Sequence, residues 1–191
     1  MQLTTIFSAC SIASVVLAVP LQTCLTPEQA FCIVEKYIGV ADGTGYDNQS
    51  ANATAQALIS DDFTGDSGSI LSLQSRPVKA ETIFLTGQTE TDGVGKLDNL
   101  YVTSKTQFIS EVLEYGPWPD IHTNDIVFGC NKIVWYWTFP HVGTGEYEVK
   151  GFNLFEINSQ YQICKTYIEF NSIAWGLDSN QGPLCRTNST F

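Results

Sequence analysis

The chain has 191 residues, of which 43% are hydrophobic, and its formal net charge is −11. This length and composition suit one ordinary domain with a single core. Phosphate backbones would repel an acidic chain that has no basic patch, so the charge excludes nucleic acid as a partner. Acidity of this kind is typical of a soluble protein and identifies no cationic partner.

The first 18 residues contain no charged side chain and include the apolar run 12–18. The run ends in small residues that suit signal peptidase, so we expect a signal peptide over residues 1–18 and one mature domain over 19–191. The run is too short to span a bilayer, and no later segment reaches the length of a membrane helix. These features predict a secreted, extracellular protein.

Three Asn-X-Ser/Thr sequons support export and predict a glycoprotein. They begin at Asn48, Asn52 and Asn188.

Five of the six cysteines lie outside the predicted signal peptide, so at least one is unpaired within the chain. A bridge from Cys24 to Cys185 would join both ends of the domain in an oxidising compartment. Cys24 to Cys32 is the local alternative, although a helix through residues 27–32 would hold their Cα atoms too far apart. The sequence has no Cys-X-X-Cys pair or His cluster and no glycine pattern for a dinucleotide, so we predict neither a metal nor a cofactor.

The first predicted helix begins after Thr26, which can cap it, with Pro27 in its first position and Gln29 closing a capping box. It ends at Gly43 and Gly45. The apolar residues at helical spacing predict its buried face, which consists of Ala30, Val34, Tyr37, Ile38 and Ala41.

Two further helices follow from similar patterns. The second is predicted from about residue 52 to 60. The third starts with a capping box formed by Ser104 and Gln107, and Gly116-Pro117 ends it.

Strands are predicted mainly in the second half of the chain. Short candidates at 69–73 and 80–85 precede a polar stretch that we interpret as a loop, residues 86–99. Three longer strands, at 126–139, 146–157 and 161–170, are joined by connections of hairpin length, so they should be consecutive antiparallel neighbours. Helices followed by a meander predict an α+β fold, with the helices packed on one face of a curved sheet.

The run Glu-Phe-Asn-Ser-Ile-Ala-Trp at 169–175 resembles the closing strand of fungal secreted proteins of the NTF2-like (SnoaL-like) superfamily. Segments 24–26, 33–37, 62–64 and 67–70 are similar to the opening helices and first strand of that family. The resemblance covers most of residues 24–176, whereas residues 75–125 match poorly. It implies a cone in which N-terminal helices pack on a strongly curved mixed or antiparallel sheet around an apolar pocket.

Glu169 and Asn171 share their parity with Tyr167, so an extended strand would project all three side chains from one face. A carboxylate beside an amide on a pocket wall could orient or protonate a ligand. Alternatively, the two side chains hold backbone groups where the strand ends and Trp175 folds back. We favour this structural interpretation, because a polar trio fits a buried hydrogen-bonded lock as well as a catalyst.

Trp135 and Trp137 lie on one face of an aromatic strand and Tyr136 lies on the other. One interpretation places the two tryptophans in a ligand pocket, together with Tyr46. The alternative interpretation places the two tryptophans in the hydrophobic core on the concave side of the sheet, with a homodimer contact on the convex side.

The resemblance also implies an acid–base pair of His and Asp, as in the superfamily's dehydratases and polyketide cyclases. His122 lies in a poorly matched connection and His141 in a hairpin turn, so neither is clearly inward. Asp61, Asp62 and Asp66 remain as candidates, and we expect Asp62 to open the first strand and to lie at the rim of a pocket. Their ordinary role is to end helices and form turns.

Three functional hypotheses follow. The leading one is a secreted, non-catalytic module of effector type that binds a small apolar molecule or another protein. The second is a cofactor-free cyclase, dehydratase or isomerase in which Asp62 or Glu169 is the base, with Tyr46, Tyr167 or Asn171 donating hydrogen bonds. The third is an interaction protein that forms a homodimer through the convex face of the sheet.

Overall fold

The computed structural model describes residues 24–74, 99–118 and 120–180. Five helices lie within these ranges: α1 Pro27–Ala41, α2 Ala51–Leu58, α3 Gly68–Leu73, α4 Lys105–Tyr115 and α5 Ser172–Ser179. The strands are β1 Ile59–Asp66, β2 Leu100–Val102, β3 His122–Phe128, β4 Lys132–Phe139, β5 Val149–Ile157 and β6 Ile163–Phe170.

The six strands form one mixed sheet in the order β2-β1-β6-β5-β4-β3. Strands β3 to β6 make an antiparallel meander, and β1 returns parallel to β6. Helices α1 and α4 pack on one face of this sheet, which we call the inner face; the opposite one is the outer face. The predicted α+β fold, with helices packed on a mixed sheet, is confirmed.

Helix α1 forms for the predicted reasons. The Thr26 hydroxyl accepts a hydrogen bond from the Gln29 amide, and the Gln29 side chain accepts one from the Thr26 amide. Helix α4 begins in a related way, because the Ser104 hydroxyl accepts from the Gln107 amide. Local capping therefore sets both helix starts.

Two predictions in the first half of the chain need correction. The second helix ends at Leu58, and the first strand already begins at Ile59 and not at Asp62 as predicted. The strand predicted at 69–73 is wrong, because these residues belong to helix α3. The segments 80–85 and 86–98 lie outside the described residues.

The strand predicted at 126–139 is a hairpin of two strands, β3 and β4. A tight turn at residues 129–131 separates them, and the Gly129 amide donates to the Lys132 carbonyl at 2.8 Å. Because apolar residues flank the turn on both sides, the sequence pattern predicts one continuous strand. The predicted antiparallel order of β4, β5 and β6 is confirmed, with β5 beginning at Val149 and β6 at Ile163.

The turn between β3 and β4 also changes the predicted disulfide. Cys130 lies in this turn and bonds to Cys24, in place of both the Cys24–Cys185 and the Cys24–Cys32 pairings. The Leu25 amide donates to the Cys130 carbonyl at 3.2 Å, so backbone pairing brings the two cysteines together. Cys185 lies outside the described residues, and Cys32 and Cys164 are free thiols.

Replacing both Cys24 and Cys130 by Ser should lower the free energy of unfolding by about 4–5 kcal/mol. The bond closes a loop with a sequence separation of 106, and releasing it gives the unfolded chain more conformational entropy. Urea denaturation of the purified protein measures this loss, with Cys32→Ser as the control that leaves the loop closed. A peptide map that joins Cys24 to any other cysteine would contradict the pairing.

Candidate functional site

Glu169 occupies the beginning of helix α3. One carboxylate oxygen accepts from the Gly68 amide at 2.6 Å, and the other accepts from both the amide and the hydroxyl of Ser69. The Ser69 hydroxyl in turn accepts from the Phe170 amide at 3.1 Å. Since the first amides of a helix have no partner within it, a carboxylate placed here satisfies them and interacts favourably with the helix dipole.

Asn171 has the same role for helix α5. Strand β6 ends at Phe170, and the Asn171 side chain then accepts from the Ala174 amide at 3.1 Å as the N-cap. The Trp175 indole follows and lies 5.6 Å from the Phe139 ring and 5.5 Å from the Phe170 ring. Glu169 and Asn171 thus each hold backbone amides at the start of one helix, as the structural interpretation of the 169–175 segment predicts.

Helix α5 is fixed at its other end by Asp178. This buried carboxylate accepts from the Thr144 hydroxyl at 2.8 Å and from the Glu146 and Tyr147 amides. The contact holds the connection between β4 and β5 against α5. Nothing in the sequence pattern marked Asp178, because its partners lie more than 30 residues away.

The inner face of the sheet is covered by aromatic side chains. Trp135 has no exposed surface and Trp137 has 3%, and their rings lie 6.2 Å apart. Tyr37 of α1 packs on Trp135 at 5.9 Å and on Phe155 at 4.9 Å. Side chains with so little accessible surface border no water-sized space, so a ligand beside Trp135 or Trp137 would need the rings to move apart.

A short polar chain crosses this aromatic interior. The Trp137 indole N–H donates to the Asn153 side-chain oxygen at 2.8 Å, and the Asn153 amide nitrogen donates to the Tyr37 hydroxyl at 3.4 Å. Burial raises the pKa of Tyr37 above its usual value, and burial likewise raises the pKa of Tyr101. Asn153 was missed by sequence reasoning, although its inward parity between Gly151 and Phe155 is a signal for it.

The predicted ligand-binding residues do not meet in one place. Cross-strand pairing puts Trp135 and Trp137 on the inner face, opposite Asn153 and Gly151. Tyr167 and Glu169 pair with Leu154 and Phe152, which belong to the outer face. Because neighbouring residues of a strand project to opposite sides, the sheet itself separates the two halves of the predicted set.

Tyr46 lies apart from both halves. Its hydroxyl donates to Glu35 at 3.5 Å, its ring lies beneath the Lys36 ammonium, and the Cys32 thiol is 3.8 Å away. These partners all belong to α1. The hydrogen bond and nearby charge of Cys32, followed by burial and the charges of Glu35 and Asp47, raise the pKa of Tyr46.

Asp62 lies on the exposed part of β1, where it accepts from the Ser60 hydroxyl at 2.6 Å. Asp61 pairs with Lys105 at 3.0 Å and is 98% exposed at its side chain. Asp66, by contrast, is buried and lies 3.2 Å from the Lys165 ammonium, which also lies over the Tyr167 ring. These carboxylates are therefore distributed along β1 and share no site with the tryptophans.

Both histidines are exposed. The His122 ring lies 3.3 Å from the Asp120 carboxylate, and their side chains are 61% and 77% exposed. His141 lies in the connection after β4, as predicted. An exposed His–Asp contact stays in water, which weakens any proton transfer to a bound molecule.

Each sequon hydroxyl in the described part has a structural partner. The Ser50 hydroxyl is the N-cap of α2, where it accepts from the Ala53 amide. The Thr54 hydroxyl is buried and accepts from the Tyr46 amide at 3.1 Å. Asn48 and Asn52 are both exposed, whereas Asn188 lies outside the described residues.

Within residues 24–74, 99–118 and 120–180, no group of three or more His, Cys, Asp and Glu side chains is arranged to hold a metal ion. The helices of these same ranges include none that is both long enough and apolar enough to cross a membrane.

Replacing Glu169 by Gln should lower the free energy of unfolding by about 1–3 kcal/mol, because the amide would turn a donor toward the α3 amides. Urea denaturation measures the loss, and Glu114→Gln on the exposed side of α4 is the matched control. An unchanged unfolding curve would contradict the capping role and restore Glu169 as a catalytic candidate.

Comparison with known proteins places this geometry in a family. The profile described as "NTF2-like domain" matches residues 23–182. The comparison with curated proteins gives no match.

Solved structures share the fold at low sequence identity. A protein described as a SnoaL-like polyketide cyclase from Jannaschia sp. CCS1 has a TM-score of 0.52 and 11% identity, covering 83% of this chain and 98% of its own. A protein with a ketosteroid isomerase-like fold from Catenulispora acidiphila DSM 44928, solved with trimethylamine, has a TM-score of 0.50 and 14% identity, covering 82% and 95%. A de novo designed protein with a curved β-sheet has a TM-score of 0.51 and 9% identity, covering 82% and 96%.

Proposed function

The chain belongs to the NTF2-like family. Within this family we propose that it is a secreted, non-catalytic module that acts by binding. The observation that carries the proposal is the Glu169 carboxylate, both of whose oxygens already accept hydrogen bonds from α3. A general base must lie within hydrogen-bond reach of the proton it removes, whereas the Glu169 oxygens face the α3 amides. The Asn171 side chain is likewise used as a helix cap.

The alternative is a cofactor-free cyclase, dehydratase or isomerase, for which Asp62 is the remaining candidate base. Its exposed position on β1 weighs against this role, since such chemistry needs a carboxylate in a dry, shaped pocket. The two exposed histidines weigh against it for the same reason.

Export is supported by residues 1–18 and by the sequons. The Cys24–Cys130 bond fits an oxidising compartment, where disulfides persist. Asn48 and Asn52 lie next to α2, which packs on α1 and α4 in the helical layer. Glycans at these two positions would leave the outer face of the sheet uncovered.

The outer face is the surface that we assign to binding. Val127, Val134, Tyr136 and Phe152 are 59%, 37%, 41% and 45% exposed and come from the three adjacent strands β3, β4 and β5. Val127 pairs with Val134 and Tyr136 with Phe152, so they form one contiguous apolar patch, which marks an interaction surface. We assign a second copy of the chain as its partner, giving a homodimer.

Small-molecule binding is a second candidate function. Two observations favour it: the polar chain from Trp137 to Tyr37 inside an aromatic interior, and the trimethylamine bound by the Catenulispora protein of the same fold. Ligand pockets combine aromatic walls with a few polar groups that orient the ligand, and this interior would have that character once its rings move apart.

Expression of the full chain in a fungal secretory host should place the protein in the medium with Val19 as its first residue, because signal peptidase removes residues 1–18. Amino-terminal sequencing and intact mass measure this, and the same chain without residues 2–18 is the control that should stay inside the cells. Recovery of the uncleaved chain from the cell interior would contradict the proposed export.

Replacing Phe152 by Lys should weaken dimerisation at least tenfold, because an exposed aromatic side chain that the proposed dimer would bury becomes a charge. Size-exclusion chromatography with light scattering over a range of concentrations measures this. Phe31→Lys is the matched control, since Phe31 is 48% exposed but lies on α1 in the helical layer. A wild-type protein that stays monomeric at every concentration would refute the dimer.

A further inference from the structure

Helix α5 presents its largest aliphatic side chains to solvent. Ile173 and Leu177 are 67% and 47% exposed, and the other residues of this helix are buried or half-buried. The buried ones are small or charged, namely Ala174, Gly176 and Asp178. A helix on a protein surface ordinarily turns polar residues outward and large apolar residues inward. Because α5 has the reverse pattern, its outward side has the character of a contact surface.

Ile173 and Leu177 form one patch, which we call the α5 patch. Residues four positions apart in a helix lie on the same side of it, one turn from each other. The helix cannot rotate to bury them, because Trp175 packs against two rings of the interior and Asp178 is bonded to the connection between β4 and β5. Any partner of the α5 patch must therefore come to it from outside.

The chain itself supplies a segment next to this patch. Asn180 follows α5 in the left-handed conformation, with φ 54°, and its amide donates to the Gly176 carbonyl. This way of ending a helix turns the following residues away from the helix axis. Residues 181–191, which lie outside the described residues, begin at this turn. A segment of that length can extend roughly 36 Å, whereas Ile173 is only about 10 Å from Asn180 along the helix.

The composition of residues 181–191 suits the α5 patch. Leu184 and Phe191 are the large apolar residues of this segment, and Arg186 is its one charged residue. Glu146 is exposed in the connection that is bonded to α5, so an opposite charge lies near the patch. The family profile ends at residue 182, so nearly the whole segment lies beyond the matched domain.

We propose that residues 181–191 fold back along α5 and pack Leu184 against Ile173 and Leu177. Attachment through the turn after α5 gives this segment a high effective concentration at the patch, which favours it over a separate molecule. The contact removes aliphatic surface from water on both sides. It also holds α5 in place, and with it the Trp175 ring at the edge of the aromatic interior. The contact needs neither a ligand nor a dimer, so it goes beyond the proposed function.

The first test measures how fast trypsin cuts the full mature protein after Arg186. Every protein in the series carries Asn188→Gln, so that no glycan covers the cleavage site. Leu177→Ala and Leu184→Ala each remove one side of the contact and should each raise the rate about tenfold, because cleavage follows the population of the undocked segment. Alanine is the best helix former, so Leu177→Ala leaves α5 itself intact.

Two further variants make the result specific. The double variant of Leu177→Ala and Leu184→Ala should be cut no more than about twice as fast as either single variant, because both substitutions break one contact. Leu113→Ala is the matched control, since Leu113 is 38% exposed but lies on α4. This control should be cut at the rate of the parent protein.

The second test uses NMR on the parent protein and needs no substitution in the contact. We expect nuclear Overhauser contacts between the methyl groups of Leu184 and those of Ile173 or Leu177. A sample that mixes isotope-labelled and unlabelled copies shows whether these contacts lie within one chain.

Three results would overturn the inference. The first is a cleavage rate that Leu177→Ala and Leu184→Ala leave unchanged, and the second is a Leu184 methyl group without contact to α5. The third is a contact that forms only between labelled and unlabelled copies, because the occupant of the α5 patch would then be a second copy of the chain.

Discussion

The hydrogen bonds between Glu169 and the start of α3 are the constraint on which the rest of this structure depends. They join the last strand of the sheet to a helix about 100 residues earlier in the chain. Two residues later Asn171 begins α5, which Asp178 fixes to the connection between β4 and β5. The short segment from Glu169 to Asn171 thus positions both α3 and α5 next to β6, and its side-chain oxygens accept hydrogen bonds from these helices.

The positions of the polar and aromatic side chains on the sheet limit which residues can share one binding site. The sheet separates Trp135 and Trp137 on its inner face from Tyr167 and Glu169 on its outer face, so the residues cannot act in one pocket. The inner face is filled with the protein's own aromatic rings around a hydrogen-bonded amide. The outer face presents apolar side chains to solvent. The proposed function therefore uses these two faces for binding.

Local signals explain which predictions were correct. Thr26 with Gln29, and Ser104 with Gln107, specify helix starts within four residues, so the sequence pattern contains them in full. Residues 69–73 were mistaken for a strand although Ser67 caps helix α3 locally through the Ile70 amide, because Glu169, which binds the Gly68 and Ser69 amides, lies far away in the sequence. The Cys24 bond was mispredicted because the turn that carries Cys130 has apolar strands on both sides.

The sequence by itself determined the α+β class, the order of the meander and the capped starts of α1 and α4, because each depends on periodicity or on contacts within a few residues. The tertiary structure alone decided what the segment from Glu169 to Trp175 does. Its residues resemble an active site in sequence, but their partners are backbone amides that only the folded chain brings near. Long-range hydrogen bonds leave no local pattern, and for that reason the roles of Glu169, Asn153 and Asp178 became visible only in the fold.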